Sequence, residues 1–138
     1  MNTTTQPRVL YVEDDPQSRK TMDLLFKLRM KLAHVTMFEN SESFLERAEA
    51  LYPKPDVILL DIHVTPFDGF EMLKILHSLD WAQQVPIIAL TASVMSEEVE
   101  HLRRAGFDGC LGKPIDLDTF PQLFTRILVG ESIWRVNS

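Results

Sequence analysis

Five short apolar runs, each followed by a segment of helical period, constrain this chain more than any other feature. Arg8 to Val12, about Ala33 to Phe38, Asp56 to Ile62, Ile87 to Ala92 and about Gly109 to Gly112 read as buried strands. Strands that alternate with helices build a parallel sheet, because parallel neighbours need a crossover connection, usually a helix. The run Val57-Ile58-Leu59-Leu60 is the most apolar and is expected at the centre, covered on both faces.

The helices carry their own signals. Asp15-Pro16 predicts a start with an acidic cap and a proline at the first helical position. That first helix is expected to bury Met22, Leu25, Phe26 and Leu32 and to expose Arg19, Lys20, Lys27, Arg29 and Lys31. Ser41 and Glu42 are expected to open the second helix, Asp68-Gly69 to lead into the third, Ser96-Glu97-Glu98 to cap a fourth ending at Gly106, and Asp116 or Asp118 to begin the last, with Pro121 in its first turn. The chain has 138 residues, and a domain averages roughly 150. One domain over residues 8–128 is expected, with short tails at 1–7 and 129–138 and no output domain.

Charge narrows the function classes. Fourteen Lys and Arg against 20 Asp and Glu give −6, which disfavours nucleic acid or an anionic membrane as a partner. The first residues lack the apolar run of a signal peptide, and no stretch approaches the ~20 apolar residues of a membrane span. The lone cysteine, Cys110, has no internal partner, and a reducing, cytoplasmic compartment is expected.

Ligands of open parallel sheets bind outside the carboxyl ends of the strands, so polar residues at those ends carry the chemistry. Glu13 and Asp14 follow the first run, Asp61 closes the third, Thr91 ends the fourth and Lys113 follows the fifth. Three carboxylates, a hydroxyl and an ammonium are therefore expected on one rim. Crowded carboxylates raise one another's pKa or recruit a cation, and an oxygen-only donor set suits Mg²⁺. Such a pocket suits phosphoryl transfer, in which the protein positions groups and neutralises oxygen charge. Asp61 is the expected nucleophile, forming an acyl phosphate. Mg²⁺ on Glu13, Asp14 and Asp61, the Thr91 hydroxyl and Lys113 would each hold a phosphoryl oxygen.

Val12-Glu13-Asp14-Asp15, Leu60-Asp61, Leu90-Thr91-Ala92 and Lys113-Pro114, with Asp68-Gly69 after the aspartate, resemble the motif set of response-regulator receiver domains. The resemblance covers about Arg8 to Leu128. It implies a flavodoxin-like (βα)5 doubly wound α/β sandwich with a five-stranded parallel sheet in the order 2-1-3-4-5. It also implies a CheY-like, stand-alone receiver of two-component signalling, a switch that is phosphorylated and dephosphorylates itself and is not a turnover enzyme. Carried over, Asp61 is the phosphoacceptor, and Glu13, Asp14, Asp61 and the backbone carbonyl of His63 hold Mg²⁺. Thr91, the switch hydroxyl, Ala92 and Lys113 form the phosphate-binding and switch set, and the peptide from Lys113 to Pro114 is often cis in the family. The implied donor is a histidine kinase or histidine phosphotransfer protein, docking on the basic first helix. The implied responding face is the fourth helix, the last strand and the final helix, open to a downstream protein or to a homodimer through the final helix.

Two positions depart from the family pattern. Cys110 stands where receivers usually carry Tyr, Phe or His, and the proline usual four residues after the aspartate is displaced to Pro66. Two other function classes fit parts of the chain. Asp61-Ile62-His63-Val64-Thr65 imitates the DxDx[TV] motif of haloacid-dehalogenase-type Mg²⁺ phosphatases, with His63 in place of the second aspartate. A receiver-like binding module that is never phosphorylated is the other. His34, His77 and His101 share no spacing and read as surface residues, Cys110 reads as a packing residue, and the tail with Ile133, Trp134 and Val136 is apolar enough to pack back or meet a partner.

Overall fold

The computed structural model describes residues 6–93 and 95–135. The first five residues of the N-terminal tail, and Val136 of the apolar tail, lie outside the described residues. Strand β1 (Arg8–Val12) leads to α1 (Pro16–Leu24), which runs on as a π-helical turn, Leu25–Arg29. Next come β2 (His34–Phe38), α2 (Phe44–Ala50), β3 (Val57–Asp61) and α3 (Gly69–His77). After a 3₁₀ turn at Asp80–Ala82 follow β4 (Ile87–Thr91), α4 (Ser96–Ala105), β5 (Gly109–Gly112), α5 (Phe120–Leu128) and β6 (Trp134–Arg135).

All strand pairs are parallel, in the order β2-β1-β3-β4-β5-β6. The expected order 2-1-3-4-5 is present, and the tail extends it by a two-residue strand at the β5 edge. β3 and β4 are buried along their whole length, as strands covered by helices on both faces must be.

Alternation along the strands divides the core into two layers. Leu10, Val12, Ile58 and Leu60 face one side with Phe44 of α2, Met72 and Leu76 of α3 and Leu102 of α4. Val9, Tyr11, Val57 and Leu59 face the other with Met22 and Phe26 of the first helix and Phe120, Phe124 and Ile127 of α5. Phe26 sits within 6.3 Å, centroid to centroid, of Tyr11, Phe120 and Phe124.

The caps explain where the helices begin and where the sequence reading is corrected. Asp15 caps α1, accepting from the Ser18 amide at 2.9 Å, with Pro16 in the first turn. Asp68 and Glu71 form a reciprocal capping box on α3. Ser41 does not open α2. It is buried and bonds the backbone of Phe67 in both directions, each at 2.7 Å, while α2 starts at Phe44. Ser96 does not cap α4 by its side chain but lies inside the helix, after Met95. Arg19 and Leu32 are half-buried, so neither the exposed nor the buried set of the first helix is complete. His34, His77 and His101 are exposed, as expected, and His101 stacks on Phe70 at 4.5 Å.

Candidate functional site

The carboxyl ends of β1, β3, β4 and β5 meet where the strand order reverses between β1 and β3, the usual crevice of a doubly wound sheet. Glu13 continues the β1 ladder by donating its amide to the Phe38 carbonyl at 3.0 Å. Its carboxylate is 1% exposed. Oε1 accepts from Tyr11 Oη at 3.3 Å and from Lys113 Nζ at 2.9 Å, and Oε2 accepts from the Asp15 amide at 3.2 Å. The Glu13 carbonyl accepts from Arg19 Nη1 at 2.9 Å, which is why Arg19 turns inward.

Asp61 ends β3 at 4% exposure, and Lys113 Nζ donates to its Oδ1 at 3.1 Å. The loop that follows is fastened at both ends. Gly69 donates to the Ile62 carbonyl at 2.9 Å, and a β-carbon at Gly69 would stand 3.0 Å from the Ile62 Cα, so a side chain there would press the start of α3 away from the backbone that leaves β3. Ser41 pins the loop through Phe67.

Thr91 ends β4 at 4% exposure, its hydroxyl donating to the Ser93 carbonyl at 3.2 Å and accepting from the Ser93 amide at 3.1 Å. The Lys113 amide donates to the Thr91 carbonyl at 2.8 Å, and the peptide to Pro114 is cis. Asp14, His63 and Ala92 are exposed at the mouth, and Cys110 is fully buried on β5.

Carboxylate oxygens of Glu13, Asp14 and Asp61 lie within 4.8 Å of one another, forming an all-oxygen group able to hold a metal ion. Burial pushes the Glu13 carboxyl above the usual carboxylate range; the Lys113 hydrogen bond opposes that shift and the Asp61 charge adds to it. Burial pulls the Lys113 ammonium down, but its bonds to Glu13 and Asp61 outweigh that and hold it above the ordinary lysine value. Two hydrogen bonds from Ser18 hold Asp15 below the usual range, as suits a cap and not a pocket member. One ammonium among three carboxylates leaves the rim negative, so a cation, or a phosphoryl group accompanied by one, fits its electrostatics.

The structure thus brings together Glu13, Asp14, Asp61 and Lys113, with Thr91 beside them at the end of the adjacent strand. Sequence reading missed Tyr11, Arg19 and Ser41 as supports. Tyr11 was within reach, since it lies two residues before Glu13 and side chains two apart on a strand share a face. Ser41 was not, because its partner Phe67 is 26 residues away.

The model of the response regulator receiver domain matches residues 9–125. This chain belongs to that family. Among curated relatives, the receiver domain is 33% identical over 125 residues to the signal transduction histidine-protein kinase BarA of Escherichia coli K12, covering 91% of this chain but only 13% of that kinase. It is 31% identical over 115 residues to the polar-differentiation response regulator DivK of Brucella ovis, covering 81% of this chain and 88% of DivK. Among solved structures, the receiver domain of sensor histidine kinase PA1611 from Pseudomonas aeruginosa superposes with a TM-score of 0.77 at 24% identity, over 91% of this chain and 99% of that one. These likenesses agree with the flavodoxin-like fold. Among the described residues no helix is long and apolar enough to cross a membrane.

Proposed function

We propose that this receiver domain accepts a phosphoryl group on Asp61 from the phosphohistidine of a histidine kinase or histidine phosphotransfer protein and signals the change to a downstream protein. The observation that carries the reading is the bridge of Lys113 Nζ between Glu13 at 2.9 Å and Asp61 at 3.1 Å, which joins the ends of three strands at one nearly buried carboxylate. An Asp61 carboxylate oxygen attacks phosphorus, the P–N bond to the donor imidazole breaks, and that nitrogen leaves with the electron pair. Lys113, held cationic, neutralises one phosphoryl oxygen, and the Thr91 hydroxyl donates to another. Glu13, Asp14, Asp61 and the His63 carbonyl would hold Mg²⁺, which supplies charge neutralisation for the phosphoryl oxygens. The oxygen-only donor set supports that metal, and the PA1611 receiver domain was solved with magnesium in its active-site cleft.

The donor docks on the first helix, where Lys20, Lys27 and Arg29 are exposed, with Lys31 exposed just past its end, beside an apolar groove lined by Met22, Pro114, Ile115 and Leu117 near Lys113. The downstream protein, or a second copy through α5, engages the α4 and α5 flank. The domain works in the cytoplasm, in keeping with a lone, buried Cys110 that has no internal partner. It switches and is not a turnover enzyme.

Intact mass after incubation with Mg²⁺ and acetyl phosphate tests the reading. Wild type is expected to gain about 80 Da, one phosphoryl unit, and Asp61→Asn none. No gain from acetyl phosphate or from a kinase phosphodonor would make the chain a phosphorylation-independent binding module.

A further inference from the structure

The C-terminal strand β6 lies on β5 close to the site, and phosphoryl transfer as described makes no use of it. The Cys110 amide donates to the Ile133 carbonyl at 2.8 Å. Register pairs Cys110 with Trp134 and Leu111 with Arg135, so the strand runs toward the site rim and reaches a point two residues before Lys113. The edge is shaped for it. A β-carbon at Gly109 would stand 2.6 Å from the Ile133 carbonyl oxygen and 3.3 Å from its nitrogen. Ile133, 4% exposed, joins the layer of α1 and α5, whereas Trp134 packs on the layer of α3 and α4. The Arg103 guanidinium, in the last turn of α4, lies 4.4 Å from the centroid of the Trp134 ring. Cys110 is small, so the bulk on this flank of β5 comes from Trp134 of the tail.

The other end of the same connection is Thr91. Its hydroxyl has one proton, which goes to the Ser93 carbonyl, and it accepts from the Ser93 amide. A phosphoryl oxygen on Asp61 would compete for that proton and leave the Ser93 turn, which leads toward α4, held to Thr91 by the Ser93 amide alone. α4 is a continuous helix of 10 residues, so a shift at its start would be carried to Arg103 and the stack on Trp134. Thr91 also touches the second support of the tail, since it pairs with Gly112 of β5 and its carbonyl holds the Lys113 amide.

We propose that β6 is a switch strand: docked on β5 while Asp61 carries no phosphoryl group, and released when it does, through Thr91, α4 and the Arg103–Trp134 stack. The inference rests on Asp61 as phosphoacceptor. Linkage makes the coupling reciprocal, so releasing β6 by mutation favours the phosphoryl-bound state by the same factor.

Amide exchange by NMR on the full chain tests it, with Mg²⁺ alone and with Mg²⁺ plus beryllofluoride as the phosphoryl mimic. The Cys110 amide is expected to exchange at least about fivefold faster with beryllofluoride, the lower end of ordinary allosteric couplings. In Trp134→Ala it should be fast with Mg²⁺ alone, gain nothing further from beryllofluoride, and the variant should bind beryllofluoride about fivefold more tightly. If Trp134→Ala loses its native spectrum, Arg103→Ala makes the same comparison from an exposed position. Beryllofluoride that fails to bind wild type overturns the phosphoacceptor reading and the switch strand with it. Beryllofluoride that binds while Cys110 exchange stays unchanged overturns the switch strand alone.

Discussion

Asp14 is the exposed member of three carboxylates whose oxygens approach within 4.8 Å, so its charge repels two buried ones without being buried itself. Asp14→Asn is expected to stabilise the metal-free protein by up to about 1 kcal/mol, the scale of an exposed charge interaction, and to remove the rise in Tm that Mg²⁺ brings. Calorimetry in EDTA and in Mg²⁺ reads both effects. Tyr11 supports the same site from below. Its burial, with Glu13 close by, pushes the phenol far above its ordinary value, so it keeps its proton and donates it to Glu13. Tyr11→Phe should cost about 1 kcal/mol in urea unfolding, the net worth of one hydrogen bond. Cys110 titrates the other way from a salt-bridged carboxylate. Burial raises its thiol pKa in the folded state; the folded protein therefore holds the proton longer than the unfolded chain. That contribution is complete below the unfolded value, about 8.5, and is lost as pH rises through the folded one. The alkaline fall in stability should flatten in Cys110→Ala, as denaturation at successive pH values would measure.

Among the elements, the loop after Asp61 depends most on a single distant side chain. Ser41→Ala leaves the amide and carbonyl of Phe67 without their partner at a half-buried position, and about 2 kcal/mol of stability should be lost. A larger fall in the acetyl phosphate reaction than in stability would show that the loop, and not only the fold, has loosened. This element also marks where sequence reading stops. The strands were legible because Val57 to Leu60 and Ile87 to Leu90 are unbroken apolar runs, their order only through the motifs shared with receiver domains, and α1 and α3 because Asp15-Pro16 and Asp68-Gly69 are local caps. Ser41 and Ser96 looked like caps by the same local rule. Tertiary contact decided otherwise for Ser41, whose hydroxyl found backbone donors and acceptors in another loop. The site residues at strand ends were legible because a parallel sheet sends every such end to one rim, whereas the bonds among them depend on distances no pattern contains. β6 escaped notice because two residues are too few to show a period.

Across the whole molecule, the parallel sheet separates the parts that sense from the parts that hold. Glu13, Asp14, Asp61 and Lys113 stand at one rim and the two apolar layers lie beneath it, so a cation bound at the rim stabilises the entire fold by mass action. The same architecture has two open flanks, and they differ. β2 exposes the polar His34 and Thr36 along its length. The opposite flank would be Gly109-Cys110-Leu111-Gly112, an uncharged strand with unpaired amides, were it not covered by Ile133 to Arg135. Uncovered strand edges of that kind recruit other chains. A chain ending at Gly130 is expected to scatter more light than the full chain as concentration rises, with polar surface elsewhere unchanged. Ile133 to Arg135 thus also act as a guard on the protein's solubility, and any event that lifts them sets a limit on how crowded the protein can be.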